Sequence, residues 1–456
     1  MTPTNLDISK LRDDVTGTVI APDDPAYDEA RTIFVGDIDR HPAVIVKVAD
    51  DEDVRTVVRL ARETGFELAV RSGGHSGAGH STTEGGIVLD LRHMTAIEID
   101  ADDRTAWAET GLTAADYTTI TNEAGLATGF GDTGSVGVGG ITLGGGVGFL
   151  VRKHGMTIDS LLAADVVAAD GQLLRVDGDS HPDLFWAIRG GGGNLGVATR
   201  FHFRLHPVDT VVGGMLFLPA TTEVIEGFMA EAARAPEELS TIANAMVAPP
   251  MPFLPEEVEG KPMVMAFLAY AGEIEAGERA LAPFRSLAEP LADMVRPMPY
   301  PEMFPPDPED YHPTAASWTG FADSIGAKES QAIMERLDVP AGMLRVVQLR
   351  ELGGEMARVP NDATAFAHRD RRIMVNVASI YETEGDRAGS EAWVNDTVEF
   401  VRQGEPAAYV NFLVDEGEER IHQAYPGKTW DRLREVKSAY DPDNLFRLNQ
   451  NVPPAS

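Results

Sequence analysis

The chain contains no cysteine among its 456 residues. That absence excludes disulfides, thiolate metal sites and cysteine nucleophiles in one step. No apolar run approaches the roughly 20 residues that a membrane-spanning helix needs, and no basic region followed by an apolar one marks a secretory signal. We therefore expect a cytoplasmic protein without a membrane partner.

Positive charge is also scarce. The chain has 38 lysines and arginines, of which only seven are lysine, against 72 aspartates and glutamates, so its formal net charge is −34. A chain this acidic repels phosphate backbones, and we expect no nucleic-acid partner. A salty cytoplasm would explain the acidic excess, and a GC-rich genome would explain the shortage of lysine equally well.

A regular alternation of strands and long helices is missing as well. In the first third of the chain, strand character is found at 43–48, 66–70, 87–91 and 97–100, and 51–64, which opens with an acidic turn, has the pattern of a helix. A βαβ start followed by strands without long helices between them is typical of an α+β fold.

The length exceeds what one hydrophobic core usually serves, so we expect more than one domain. Glycine is concentrated before residue 207, whereas the following region is rich in proline and has few glycines. We predict a cofactor-binding domain at 1–207 and a substrate-binding domain at 208–404. The segment 405–456 is expected to pack back on the first domain.

Glycine is concentrated in three clusters. They are VRSGGHSGAG at 70–79, GDTGSVGVGGITLGGGVG at 131–148 and the four glycines at 190–193. Backbone N–H groups in such loops carry partial positive charge and can hold a diphosphate without a cation. A large cofactor with two phosphates, lying across several loops, would use all three clusters.

One histidine, His75, lies inside the first cluster, after Gly73 and Gly74 and before Gly77. Glycines permit backbone turns that other residues avoid, and they let a ligand approach the main chain closely. Because imidazole is a competent nucleophile, a covalent bond from His75 to the cofactor is chemically possible.

Other common sites lack their framework in this sequence. Residues 191–196 match the letters G-x-G-x-x-G, but a helical segment precedes them and a strand follows, the reverse of a dinucleotide-binding turn. His75 and His80 are not accompanied by a metal-binding pattern such as H-E-x-x-H, and G-x-S-x-G is absent. We predict no metal site.

Four segments together resemble the berberine-bridge-enzyme-like FAD-linked oxidoreductases, which are flavoproteins of the vanillyl-alcohol-oxidase type. The segments are RSGGHS at 71–76, GSVGVGGITLGGGVGFL at 134–150, DLFWAIRGGGGNLGVATRF at 183–201 and RLREVKSAYDPDNLFRLNQNVPP at 432–454. The likeness runs in register from residue 20 to the C-terminus and is weakest across 208–340.

The resemblance implies a two-domain α+β fold of the vanillyl-alcohol-oxidase type. FAD would extend across the first domain, and an antiparallel-sheet substrate domain covered by helices would roof the flavin. It also implies FAD contacts at eighteen residues: Arg71, Ser72, Gly73, Gly74, His75, Ser76, Asp132, Thr133, Val136, Gly137, Gly139, Gly140, Leu143, Gly145, Val197, Asn411, Asn449 and Asn451.

The resemblance assigns particular roles to three of these residues. In the family the histidine of the first loop is bonded to the flavin 8α-methyl carbon, and that residue is His75 here. Thr133 stands where many members carry a cysteine that forms a second bond, so the chain is similar to the singly linked members. Val136 occupies the position that controls oxygen access, and valine resembles the permissive choice.

The catalytic residues are expected near Tyr409, the best candidate for a base or a positioning group, with Gln348 and Tyr381 behind it. Two departures from the family weaken a tyrosine-base mechanism. Ile141 stands where many relatives have a histidine, and Phe412 replaces a second tyrosine.

The resemblance implies an FAD-dependent oxidase that takes a hydride from the C–H of an alcohol, sugar or amine and passes electrons to O₂, giving H₂O₂. A monomer or homodimer acting on a small molecule is expected. Two alternatives remain open: a dehydrogenase that uses a quinone or protein acceptor, and a catalytically idle flavoprotein that binds a small molecule.

Overall fold

A computed structural model describes residues 6–308 and 311–455. Within them the chain forms three large β-sheets, one two-stranded ribbon and helices packed on the sheets. The expected α+β class with an antiparallel second domain is confirmed. The domain limits at 207 and 404, the cytoplasmic location and the oligomeric state stay predictions.

The first sheet carries the first glycine cluster at the end of a strand. Its order is β1-β2-β4-β3, in which β2, β4 and β3 are parallel and β1 is antiparallel. The strands are β1 (Thr18–Ile20), β2 (Val44–Lys47), β3 (Leu68–Arg71) and β4 (Ile87–Asp90). β2, β3 and β4 agree to within two residues at either end with the strands predicted at 43–48, 66–70 and 87–91, whereas β1 was not predicted. β3 leads directly into the cluster.

The long helix of this unit was predicted at 51–64, and the structure has α3 at Asp51–Thr64. The Asp50 side chain accepts N–H bonds from Glu52 and Asp53 at its start, and Gly65 ends it with φ +75°. One apolar face of the helix, which includes Val54 and Val57, packs on the sheet.

The second sheet is antiparallel and has the order β5-β6-β10-β8-β9. Its strands are β5 (Ile97–Asp100), β6 (Thr105–Glu109), β8 (Leu161–Val167), β9 (Leu173–Asp177) and β10 (Val197–Arg204). A short ribbon joins β7 (Leu126–Ala127) to β11 (His206–Pro207). The third glycine cluster, at 190–193, lies between the helix Pro182–Ile188 and β10, as the sequence indicates.

The third sheet has eight antiparallel strands, in the order β15-β12-β14-β13-β18-β19-β17, with β16 also paired to β12. The strands are β12 (Thr210–Pro219), β13 (Leu239–Val247), β14 (Pro262–Tyr270), β15 (Ala292–Asp293), β16 (Arg296–Pro299), β17 (Thr314–Ala322), β18 (Leu344–Glu351) and β19 (Ile373–Tyr381). Along β13 the alternation puts Ala243 and Ala245 in a core with the covering helices, while Asn244 points to the opposite face.

The remaining helices cover these sheets or connect them. They are α1 (Ile8–Asp14), α2 (Tyr27–Arg31), α4 (Ala114–Asn122), α5 (Val138–Gly144), α6 (Val151–His154), α7 (Pro182–Ile188), α8 (Thr222–Arg234), α9 (Ile274–Arg285), α10 (Ala327–Leu337), α11 (Glu355–Arg358), α12 (Glu384–Val401), α13 (Glu418–Ala424) and α14 (Lys428–Tyr440). In the part of the chain that the structure describes, no helix has the length and apolar character to cross a membrane.

Candidate active site

The first two glycine clusters cross each other at backbone contact distance. A Cβ atom added to Gly73 would lie 2.2 Å from the Gly137 nitrogen, and one added to Gly137 would lie 2.1 Å from the Gly73 nitrogen. Neighbouring Ser72 joins the clusters, since its hydroxyl donates to the Thr110 carbonyl and accepts from the Gly139 N–H. Only glycines allow this crossing, because any side chain would overlap the opposite main chain.

A cavity of about 430 Å³ opens beside the crossing. All three glycine clusters and the C-terminal segment contribute to its wall. Sixteen of the predicted residues line it: Ser72, Gly73, Gly74, His75, Ser76, Asp132, Thr133, Val136, Gly137, Gly139, Gly140, Leu143, Val197, Tyr409, Asn411 and Asn449. Residues that are distant in sequence therefore share one cavity, as a cofactor lying across several loops requires.

The wall of the cavity suits FAD. A Cβ at Gly140 or Gly193 would meet no atom within 4 Å, so bare backbone faces open space there. Three buried polar atoms of the wall have no hydrogen-bond partner among the described residues: Ser81 Oγ, the Tyr425 hydroxyl and Asn449 Oδ1. Because buried polar groups are normally hydrogen-bonded, these atoms indicate a polar ligand. A dinucleotide offers the phosphate, ribose and ring groups that they need.

His75 lies in the cavity wall with its ring stacked on Phe34 at a centroid distance of 4.0 Å and an interplanar angle of 22°. Its pKa is lowered from 6.5, chiefly because burial disfavours the charged imidazole, and the Asp307 carboxylate and Ser135 backbone only partly oppose this. The imidazole is therefore neutral at pH 7 and retains a nucleophilic lone pair.

Tyr409 is buried in the wall beside the second glycine cluster. Its hydroxyl oxygen accepts the Gly146 N–H at 2.9 Å and the Asn411 side-chain N–H at 3.0 Å. Burial raises the pKa of Tyr409, and its hydrogen-bond donors and the Arg350 charge only partly oppose that effect. The phenol is therefore protonated at neutral pH and keeps its own O–H to donate.

Three residues that the sequence assigned to the cofactor do not line the cavity. Arg71 is buried behind it, where its guanidinium donates to the Ser81 and Ala30 carbonyls and lies 3.7 Å from Asp90. Gly145 has φ +132° and packs beneath Tyr409, and Asn451 lies outside the wall. The Arg71 contacts join β3 to α2, to β4 and to the loop at Ser81, which favours a structural role.

The two secondary catalytic candidates also lie outside the wall of the cavity. Gln348 sits on the face of the third sheet opposite the helices and joins Asn244 to Asn376 through its amide, with both bonds at 2.9 Å. Tyr381 ends β19 with its hydroxyl 3.5 Å from Asp37. Gln348 therefore belongs to a row of amides across three strands, and the surroundings of Tyr381 favour a packing role.

An ion pair between a buried arginine and a half-buried aspartate links this sheet to the cavity, and no sequence pattern predicted it. Arg350 on β18 bonds Gln348 and reaches Asp132 in the wall at 2.7 Å. Its guanidinium also lies 5.2 Å from the centre of the Phe412 ring. The two charges are 218 positions apart, so no local pattern could pair them.

Further wall residues were not predicted either: Phe34, His80, Ser81, Asn194, Tyr425 and Gln450. In the sequence, His80 stands out only as a possible metal ligand that lacks a metal-binding pattern. Burial lowers its pKa to about 4, so it is neutral. Among the described residues no group of three or more histidines, aspartates and glutamates could hold a metal ion.

Comparisons with known proteins agree with this site. A model of the FAD binding domain matches residues 42–177, and a model of the berberine and berberine-like family matches residues 408–453. (R)-6-hydroxynicotine oxidase from Paenarthrobacter nicotinovorans is 30% identical over 96% of this chain and 97% of its own. Xylooligosaccharide oxidase from Thermothelomyces thermophilus is 28% identical over 91% of this chain and 88% of its own.

Among solved structures, 6-hydroxy-D-nicotine oxidase from Arthrobacter nicotinovorans superimposes with a TM-score of 0.86 at 26% identity, covering 97% of this chain and 98% of its own. The fold and the glycine-lined cavity define an FAD-dependent oxidoreductase. The chain belongs to the berberine-bridge-enzyme-like FAD-linked oxidoreductases, as the four motifs predicted.

Proposed function

We propose that the protein is an oxidase acting on the C–H of an alcohol, sugar or amine, with O₂ as the electron acceptor. When bound, FAD supplies the hydride acceptor at its N5 and passes the electrons on to O₂ to give H₂O₂. The observation that carries the proposal is that Val136 and Tyr409 line the same cavity. Val136, at the family position that controls oxygen access, and Tyr409, the residue expected to contact substrate, therefore face the same cavity.

We assign the cofactor to the glycine-lined cavity, with the diphosphate against the backbone of 72–76 and the crossing at Gly137. The unpartnered Asn449 Oδ1 and Tyr425 hydroxyl would find their missing partners in the ribose and ring groups. Gly140 and Gly193 leave room for close approach. Replacing either glycine by leucine is expected to fill the cavity and weaken flavin retention.

We further propose that His75 is bonded to the flavin. It would be the single covalent link, because Thr133 stands where a second link would need a cysteine. A neutral imidazole would be the form that attacks the flavin 8α-methyl carbon, and burial lowers the pKa of His75 from 6.5. The new C–N bond would replace one C–H bond of the methyl group and the N–H bond of the imidazole, and the electron pair would reduce the flavin, which O₂ would reoxidise. Because the lowered pKa extends the neutral range toward acid, covalent incorporation into the apoprotein should be constant with pH above 6.5. It should slow only at lower pH, as His75 becomes protonated.

Tyr409 is proposed as a positioning group rather than a base. A base would have to be a phenolate, and the raised pKa of Tyr409 disfavours that form. With two N–H groups bound to its oxygen, the hydroxyl keeps one proton to donate to an oxygen or nitrogen of the substrate. Such a bond would hold the substrate while its C–H meets the flavin.

The test is anaerobic flavin reduction by a panel of cyclic amines, hydroxylated aromatics and oligosaccharides, followed by exposure to air. The panel follows from the two relatives named for a hydroxynicotine and a xylooligosaccharide. An oxidase bleaches its flavin with one class of compound, recovers its colour rapidly in air and releases H₂O₂. Slow recovery in air but rapid recovery with a quinone would identify a dehydrogenase. Tight binding without bleaching would identify an idle flavoprotein.

A further inference from the structure

A second cavity, of about 290 Å³, lies between residues 153–206 and the segment 355–364. It shares no wall residue with the glycine-lined cavity. One side is formed by α6 and the end of β10, and the other by α11 and the segment after it. A ligand here would contact two parts of the chain that are distant in sequence.

Positive charge in this cavity is not neutralised by the protein. Lys153, Arg189 and Arg204 line it, and in the described part of the chain none of the three has a carboxylate oxygen within 4.0 Å. Lys153 donates to the Ala271 carbonyl and Arg189 to the carbonyls of Phe185 and Ala363. These acceptors are neutral, so none of the three cations has a direct carboxylate partner among the described residues, and only Arg189 feels a wall carboxylate, Asp159, at longer range.

The two carboxylates of the wall are already paired with other cations. Asp159 accepts both guanidinium nitrogens of Arg369, at 2.7 and 2.8 Å. Glu355 is bound by Arg358 at 2.7 Å. Three cations without a carboxylate within 4.0 Å in one cavity are unusual in a chain whose net charge is −34, because most cations here are expected to find carboxylates.

A pair of histidines completes the wall. His154 and His206 stack with their ring centroids 4.0 Å apart and 18° between their planes. The Nε2 of His206 lies 3.0 Å from the Ser160 hydroxyl, whereas the Nε2 of His154 is buried and has no partner among the described residues. A neutral imidazole with a free nitrogen can donate one N–H to an anion without adding charge.

We infer that this cavity binds a compact oxyanion, a phosphate or a small carboxylate, held by Arg204, Arg189 and Lys153 with an N–H from His154. Arginine forms two parallel bonds to such groups, and both bonds are strengthened by charge. The volume leaves room for a small organic acid but is at the lower limit of ordinary ligand pockets. The inference is independent of the reaction proposed for the flavin site.

The experiment titrates flavin-loaded protein with inorganic phosphate and, separately, with malonate, using calorimetry in low-chloride buffer at pH 7. Loaded protein is used so that neither anion can occupy the cofactor cavity. The variant is Arg204→Gln, an exposed residue whose loss should not affect folding. Arg234→Gln is the matched control, because Arg234 is exposed, lies outside the wall of this cavity and is paired with Glu231.

We expect one of the two anions to bind the wild type, and Arg204→Gln to weaken binding about tenfold or more, as loss of a charge-assisted bond predicts. Arg234→Gln should bind as the wild type does. Tighter binding of phosphate than of malonate would indicate a phosphorylated ligand. Tighter binding of malonate would indicate a carboxylic acid. In ¹⁵N-histidine NMR spectra, the His154 signals should move during the same titration.

Two results would overturn the inference. The first is the absence of binding by either anion. The second is equal binding by both variants with unmoved His154 signals, which would reveal adventitious surface association. Substrate turnover should be unchanged in Arg204→Gln, so failure here is distinguishable from failure of the proposed oxidase function.

Discussion

Replacing Lys437 by methionine should destabilise the junction between the C-terminal segment and the cavity. The ammonium is fully buried and donates to Asp441 Oδ2 and the Asn194 carbonyl, both at 2.6 Å, and to the Phe446 carbonyl at 2.9 Å. Asp441 also accepts the Leu445 and Phe446 N–H groups. Methionine fills the volume but leaves the Asp441 carboxylate without its counter-charge.

The expected cost follows from these contacts. Removing one partner of a buried ion pair costs about 3–5 kcal/mol, because the other charge stays buried and uncompensated. Exchanging Asp441 for leucine as well removes that charge. It still leaves the Asn194 carbonyl and the N–H groups of Leu445 and Phe446 unpaired, since only the Phe446 carbonyl keeps a bond from the Asn449 side chain. Each unsatisfied buried group costs about 1–3 kcal/mol. The double variant should therefore not recover wild-type stability.

Urea unfolding, followed by circular dichroism and by flavin absorbance, measures the effect. Lys428→Met is the control, because Lys428 begins the same helix but is exposed, and its loss should change the free energy of unfolding by less than about 0.5 kcal/mol. Because Asn194 lines the cavity, the flavin absorbance of Lys437→Met should also change at a lower urea concentration than that of the wild type. Equal stability of the two single variants would refute the reasoning.

Three further substitutions test the site. Arg350→Met should lower the free energy of unfolding by about 1–3 kcal/mol, because the half-buried Asp132 carboxylate loses its hydrogen-bonded partner, whereas Arg350→Lys should cost less in the same urea titration. Tyr409→Phe should slow anaerobic flavin reduction on the order of tenfold if the hydroxyl only positions substrate. A loss of ~10²–10⁴-fold in that stopped-flow measurement would instead indicate a base. Val136→Ile should slow reoxidation by air on the order of tenfold, a rise of ~1.4 kcal/mol in barrier, and leave anaerobic reduction unchanged. Unchanged reoxidation would remove Val136 from the oxygen path.

The elements that the sequence predicted are those fixed by local chemistry. The helix at 51–64 has a capping aspartate, an acidic first turn and a terminal glycine, and its bounds agree with α3. The glycine clusters predicted a shared cavity, because bare backbone has few uses other than close approach. Four motifs in register identified the family, and sixteen of the residues predicted for the site line the wall.

The parts that the sequence did not predict depend on contacts between distant segments. Nothing near Asp132 indicates that it pairs with Arg350, and nothing near Gln348 indicates that the cavity ends before reaching it. Arg71 lies within the first glycine cluster, but its guanidinium points into the protein toward Ala30 and Ser81. The path of a long side chain is decided by packing, which adjacency in sequence does not reveal.

The central claim is that the first glycine cluster clears space for a histidine bonded to FAD. The decisive measurement is the intact mass of the acid-denatured yellow protein, compared among the wild type, His75→Ala and His80→Ala. His80 is the matched control, because it lines the same cavity and is also neutral. We predict that the wild type and His80→Ala retain the mass of one FAD, and that His75→Ala does not. Release of all flavin from the wild type would contradict the covalent link, and protein purified without any flavin would contradict the assignment of the cavity.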